Sequence, residues 1–141
     1  MTYPAKVMTV YIMGLFMTII DGTMVNVALP TMADDFGVPT TDIEWIAVGY
    51  LLTYAAVIPA AGWLGDRFGT KRVFTTALIA FVITSLACGL SQTLEQLIVF
   101  RVLQGIGAGL VTPVGAAMLY RAYSLEDRAK AAIGVLSVAV I

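Results

Sequence analysis

Two ionisable residues stand well inside apolar stretches of this chain, Asp21 and Arg101. A charge at the centre of a membrane helix costs about 2.5–3.5 kcal/mol even on the lenient insertion scale, so each needs a partner or a task. Opposite charges within reach lower each other's desolvation cost. The chemistry these two residue types allow is reversible protonation of the aspartate beside a fixed positive charge. The alternative is a purely architectural ion pair. Little else on the chain offers chemistry. It has no histidine and a single cysteine, Cys88, which removes disulfide frameworks, Cys/His zinc sites and histidine-based triads together. An intramembrane aspartyl protease needs two facing acids in the membrane, where Asp21 stands alone. Neither an enzyme nor a metal site is expected, and Cys88 is expected to be a small packing residue.

More polar and small residues gather around Arg101. Arg101, Gln104, Gly105, Ala108 and Thr112 recur at i, i+3, i+4, i+7 and i+11, one side of a helix, which is expected to face a protein interior or a substrate cavity. The run from Gly105 to Gly109 contains a GxxxG spacing, which permits close approach of two helices. Met13, Met17 and Met24 lie within roughly 40° of one another beside Asp21 at 100° per residue. Lipid contact or gap filling is their plainer use; an adaptable binding surface is the sharper one. A third concentration runs from Gly62 to Arg72 and holds Gly62, Gly65, Asp66, Arg67, Gly69 and Lys71. Its glycines suit a tight reversal, and Asp66 can cap a helix or pair with a base as a latch. Otherwise it is a charged turn that only fixes topology.

The elements that must position these residues are membrane helices. Of 141 residues 60% are hydrophobic and 12% charged, with a mean hydropathy of +0.92, well beyond the composition of a soluble domain. A net charge of -1 without a basic run leaves no footprint for nucleic acid. Hydrocarbon about 30 Å thick requires about 20 apolar residues as helix. That length occurs near 7–29, 43–63, 73–91 and 95–119, and a fifth run starts near 129 and is cut off. Strands would leave backbone groups unpaired in lipid, and barrel alternation is absent. The first run is too long for a signal-peptide core and contains Asp21, so it is a retained span ending at Pro30. Lys6, then Arg67, Lys71 and Arg72, then Arg121, Arg128 and Lys130 mark the cytoplasmic side, which includes the N-terminus. Asp34, Asp35, Asp42 and Glu95 mark the outside. Asp21 then lies about 12 Å, and Arg101 about 9 Å, below the outer helix ends, so the two are expected to meet.

At these residues the sequence resembles the major facilitator superfamily. The pattern G-x-L-a-D-r-x-G-r-k is met by Gly62, Leu64, Gly65, Asp66, Arg67, Gly69 and Lys71, with Thr70 standing where a base is usual. A second pattern, R-x-x-Q-G-x-G, is met by Arg101, Gln104, Gly105 and Gly107. The stretch from Asp21 to Pro30, with Thr23 and Asn26, is similar to the D-x-T-x-V-N-V-A-L-P signature of drug/proton antiporters with fourteen spans. Trp45, Tyr50, Leu51, Leu52, Thr53 and Pro59 resemble that branch too. The resemblance implies the N-terminal part of an all-α helical bundle in the cell membrane, four spans and the start of a fifth.

It also implies proton-coupled efflux of small hydrophobic or cationic compounds, a multidrug and antibiotic antiporter working by alternating access. Asp21 and Arg101 are then the proton-coupling residues, the loop from Gly62 to Lys71 is a conformational gate, and the proton gradient replaces any cofactor. The partners would be protons, a small-molecule substrate, lipid and the remaining helices of a longer transporter. The antiporter pattern of a fifth helix would begin beyond Ile141, so exchange rather than cotransport is implied by the helix 1 signature alone. Two other readings stay open, a transporter of another substrate class and a small assembly subunit that transports nothing.

Overall fold

The computed structural model describes residues 2–124 and 126–139, with the backbone alone at 130 and 136–139. Its helices are α1 (Tyr3–Phe36), α2 (Thr40–Ile43), α3 (Trp45–Phe68), α4 (Thr70–Gly89), α5 (Leu94–Ala122) and α6 (Arg128–Ala139). Helices satisfy the backbone within the segment, the requirement a hydrocarbon solvent imposes. Among the described residues four stretches are long and apolar enough to cross a membrane: α1, α2 with α3 as one span from Thr40 to Phe68, α4, and α5.

α1 begins before the expected 7–29 segment and ends later, because Pro30 does not stop it. The proline withdraws one N–H. The turn that follows is held by Ala33, Met32 and Phe36, which pack with Ile43, Ile46 and Leu97. The end comes at Gly37, whose φ of 63° is open to glycine at little cost. There the Gly37 N–H donates to Asp34 O and the Val38 N–H to Ala33 O, closing the last turn as a Schellman motif. At 1.5 Å per residue the 34 residues of α1 reach about 51 Å, so the helix overshoots the hydrocarbon layer.

The connection between α3 and α4 is shorter than the sequence implies. α3 continues through Asp66 and Arg67 to Phe68, and Gly69 alone, at φ 88°, makes the break. Gly65 serves close approach, since a Cβ there would lie 3.3 Å from Thr70 Cγ2. Gly62 has open surroundings and contributes no such approach. α4 and α5 form a tight hairpin: the Thr93 side chain accepts the Gln96 N–H, and Gln96 Oε1 accepts the Gln92 N–H. That reciprocal arrangement resembles a capping box.

α5 is the centre of the bundle, flanked by α3 and α4 and crossed by α1. Its glycines make this possible on two sides. A Cβ on Gly105 would stand 2.5 Å from Tyr50 O, and one on Gly109 2.5 Å from Tyr54 O, so this pair seats α3. A Cβ on Gly107 would meet Ala77 O at 2.9 Å and Phe81 N at 3.0 Å, so this residue seats α4. Thr53 Oγ1 crosses the first interface to Val102 O at 2.9 Å. The principal apolar core joins Val7, Tyr11 and Leu15 of α1 to Phe74 of α4 and Val111 and Val114 of α5.

Candidate functional site

Asp21 on α1 and Arg101 on α5 meet as the depth argument requires. Arg101 Nη1 donates to Asp21 Oδ2 at 2.6 Å, with the Arg101 side chain 3% and the Asp21 side chain 15% exposed. Gln104, one helical turn on, completes a closed triangle. Its Oε1 accepts from Arg101 Nη1 at 2.6 Å, and its Nε2 donates to Asp21 Oδ1 at 2.9 Å. Both carboxylate oxygens therefore accept a hydrogen bond from α5. Spacing i to i+3 places Arg101 and Gln104 on one face, so a single helix supplies both donors.

Two neighbours were not assigned to this site from sequence. Cys88 of α4 lies with its Sγ 3.7 Å from Gln104 Oε1, within reach of a weak S–H donor, so it does more than fill space. Tyr50 of α3 lies under the guanidinium, with Arg101 Cζ 4.1 Å from the ring centroid. Arg101 Nε is buried without a hydrogen-bond partner among the described residues.

Asp21 and Arg101 open onto a cleft of about 470 Å³ that Met24, Met32, Ser85 and Cys88 also line. Of the three methionines singled out on α1, Met24 lines this cleft, while Met13 and Met17 are exposed and do not. The other α5 positions continue the same face. Gln104 and Ala108 are fully buried, Gly105 is buried, and half-buried Thr112 is bonded from both sides. Its Oγ1 is 3.2 Å from the Tyr54 hydroxyl, and its carbonyl accepts the Tyr11 hydroxyl at 3.2 Å. Thr23, Asn26 and Pro30 are exposed on α1 and are not brought to Asp21 and Arg101. Thr23 bonds back along its own helix, to Ile19 O at 2.9 Å.

A second acid–base pair closes the opposite end of α5. Asp66 Oδ1 accepts from Arg121 Nη2 at 2.6 Å, joining the last turns of α3 and α5. Asp66 thus pairs with a base and does not cap α4, whose N-terminus has no side-chain cap. Arg121 was legible only as a topology charge; its partner depends on how α3 and α5 cross. Arg67 instead leans on aromatic faces, its Cζ 5.9 Å from the centroids of both Trp63 and Phe68. Lys71 lies in the first turn of α4 and is exposed. Among the described residues no cluster of three or more His, Cys, Asp or Glu is close enough to hold a metal ion.

Comparison with known proteins agrees with this architecture. The family model described as Major Facilitator Superfamily matches residues 11–141. A relative from Salmonella paratyphi B, provisionally named multidrug resistance protein MdtD, is 45% identical over 103 residues, 73% of this chain and 22% of its own. Its counterpart of the same name in Pectobacterium atrosepticum is 42% identical over 118 residues, 82% of this chain and 25% of its own. The chain spans about a quarter of the length of the curated relatives it matches. With three apolar spans gathered on a fourth, α5, and the family match running over nearly all of them, the chain belongs to the major facilitator superfamily of multi-pass membrane transporters.

Proposed function

We propose that this chain is the N-terminal part of a proton-coupled exporter of small hydrophobic or cationic compounds, working by alternating access with its N-terminus in the cytoplasm. The observation that carries the reading is the triangle of Asp21, Arg101 and Gln104, a carboxylate held on both oxygens inside an apolar bundle. The names of the relatives support the drug-export class, and the positive residues of the α3–α4 turn support the orientation.

In this mechanism Asp21 takes a proton from the outer side through the cleft and becomes neutral. The ionic attraction to Arg101 is then lost, α1 is released from α5, and the helices rock to expose substrate on the other side. The proton gradient drives the cycle, with no further cofactor. Asp66 and Arg121 form a latch between the cytoplasmic ends of α3 and α5, with Arg67, Gly69 and Lys71 shaping the turn that carries it. The groove that Thr112 lines with Leu15, Thr18 and Tyr54 faces the substrate path, and the remaining helices of the transporter complete the cavity. The test is Asp21→Asn in the native full-length polypeptide. Proton-coupled efflux is expected to stop at normal membrane abundance; unchanged coupling would sink the reading.

A further inference from the structure

Arg101 has three partners, Asp21, Gln104 and the Tyr50 ring, and only Asp21 can be switched off by a proton. Asp21 neutralises the guanidinium from α1 at 2.6 Å. Tyr50 of α3 presents its ring to the same group, with Cζ 4.1 Å from the centroid, well inside the roughly 6 Å within which a cation is attracted to a ring face. The tyrosine is itself buried, 7% exposed, so water does not screen the contact. Asp21 and Tyr50 also line different spaces. Asp21 and Arg101 line the cleft of about 470 Å³, whereas Tyr50 lines a second groove of about 310 Å³ with Leu15, Thr18, Tyr54 and Thr112.

A proton on Asp21 leaves a cation nearly buried in apolar surroundings. Unless something else receives it, the arginine must either stay with the acid as a neutral hydrogen-bond acceptor or move toward water. Gln104 Oε1 retains one acceptor for Nη1 at 2.6 Å, but an amide carries no charge. The ring face supplies the missing electrostatic attraction. We propose that Tyr50 is a positioning residue of the coupling cluster: its ring holds the Arg101 charge in place while Asp21 is protonated, so that the acid leaves and the arginine stays.

The inference rests on the proton-coupling reading of Asp21 and adds a residue to it. The attraction counts for more when the cation is unpaired than when Asp21 already balances it. Removing the ring therefore disfavours the protonated state selectively, and proton uptake requires a more acidic medium. The titratable groups around Arg101 are Asp21 from α1, Tyr50 and its neighbour Tyr54 from α3, and Cys88 from α4.

The experiment is proton uptake by the purified native polypeptide in weakly buffered detergent solution, followed with a pH-indicator dye. The uptake that Asp21→Asn removes defines the titration of this site. Tyr50→Phe keeps the face and is expected to leave the midpoint in place. Tyr50→Leu is expected to move it toward acid by about 0.5–1 pH unit. If the leucine variant does not fold, a series of singly, doubly and triply fluorinated phenylalanines at position 50 keeps the shape and weakens the face stepwise. The midpoint should then fall in step. A midpoint indifferent to fluorination, or a Tyr50→Phe variant shifted as far as Tyr50→Leu, overturns the role of the ring while leaving Asp21 as the proton site. Absence of any uptake that depends on Asp21 overturns both.

Discussion

Two acid–arginine pairs fasten α5 to its neighbours, one at each end, and both have the same nitrogen–oxygen distance of 2.6 Å. Their surroundings are opposite. Asp21 and Arg101 are 15% and 3% exposed; Asp66 and Arg121 are 73% and 58% exposed. They are separated by 20 residues of α5, about 30 Å of helix. Equal geometry does not mean equal energy. In the apolar bundle the attraction is poorly screened and each charge depends on its partner, whereas at the helix ends water and salt weaken the pair and solvate whatever is left unpaired. A proton placed on the inner pair therefore changes the molecule, and the outer pair can open and close at small cost. In the mechanism we propose, the first is the switch and the second the latch.

The largest effect is expected from breaking the inner pair on the arginine side. Arg101→Ala leaves the Asp21 carboxylate without its cationic donor and should cost about 3–5 kcal/mol, read as a lowered thermal midpoint in detergent and reduced membrane abundance. Arg101→Ala with wild-type stability would mean that the pair is no more than a contact. Next comes the helix contact beside it. Gly105→Val drives a side chain into Tyr50 O and should cost about 1–3 kcal/mol, whereas Gly62→Ala, with nothing within 4 Å, should be neutral by the same thermal measurement. Equal losses at the two glycines would contradict the close seating of α3 on α5. A smaller stability loss than that at Arg101 or Gly105 belongs to the outer pair. Asp66→Asn should cost at most about 1 kcal/mol, and that difference should fade in 1 M salt. Transport should nevertheless be lost at normal abundance. Loss of abundance instead would make Asp66 a folding residue.

The contrast also separates what the sequence could reveal from what it could not. Span number and the meeting of Asp21 with Arg101 follow from hydrophobic length and depth alone, because a membrane restricts both. Gln104 followed from spacing on one helix face. The end of α1 did not, since Pro30 is overruled by packing of Ala33 and Phe36 on residues that come later in the chain. Tyr50 and Arg121 were legible only as a family match and as a loop charge. Their partners are set by the angle and register of α3 against α5, which depend on Gly105 and Gly109 lying under the Tyr50 and Tyr54 carbonyls. Thr23, Asn26 and Pro30 show the converse, a recognisable sequence signature whose side chains are exposed and stand apart from the inner pair.

The most direct test of the account is substrate efflux against pH by the native full-length polypeptide in everted membrane vesicles, comparing wild type with Asp21→Asn. If protonation of Asp21 is the coupling event, the variant reaches the membrane in normal amount and its efflux no longer responds to an imposed proton gradient. A variant that retains the wild-type response would contradict the account at its centre, and would leave the buried triangle as architecture.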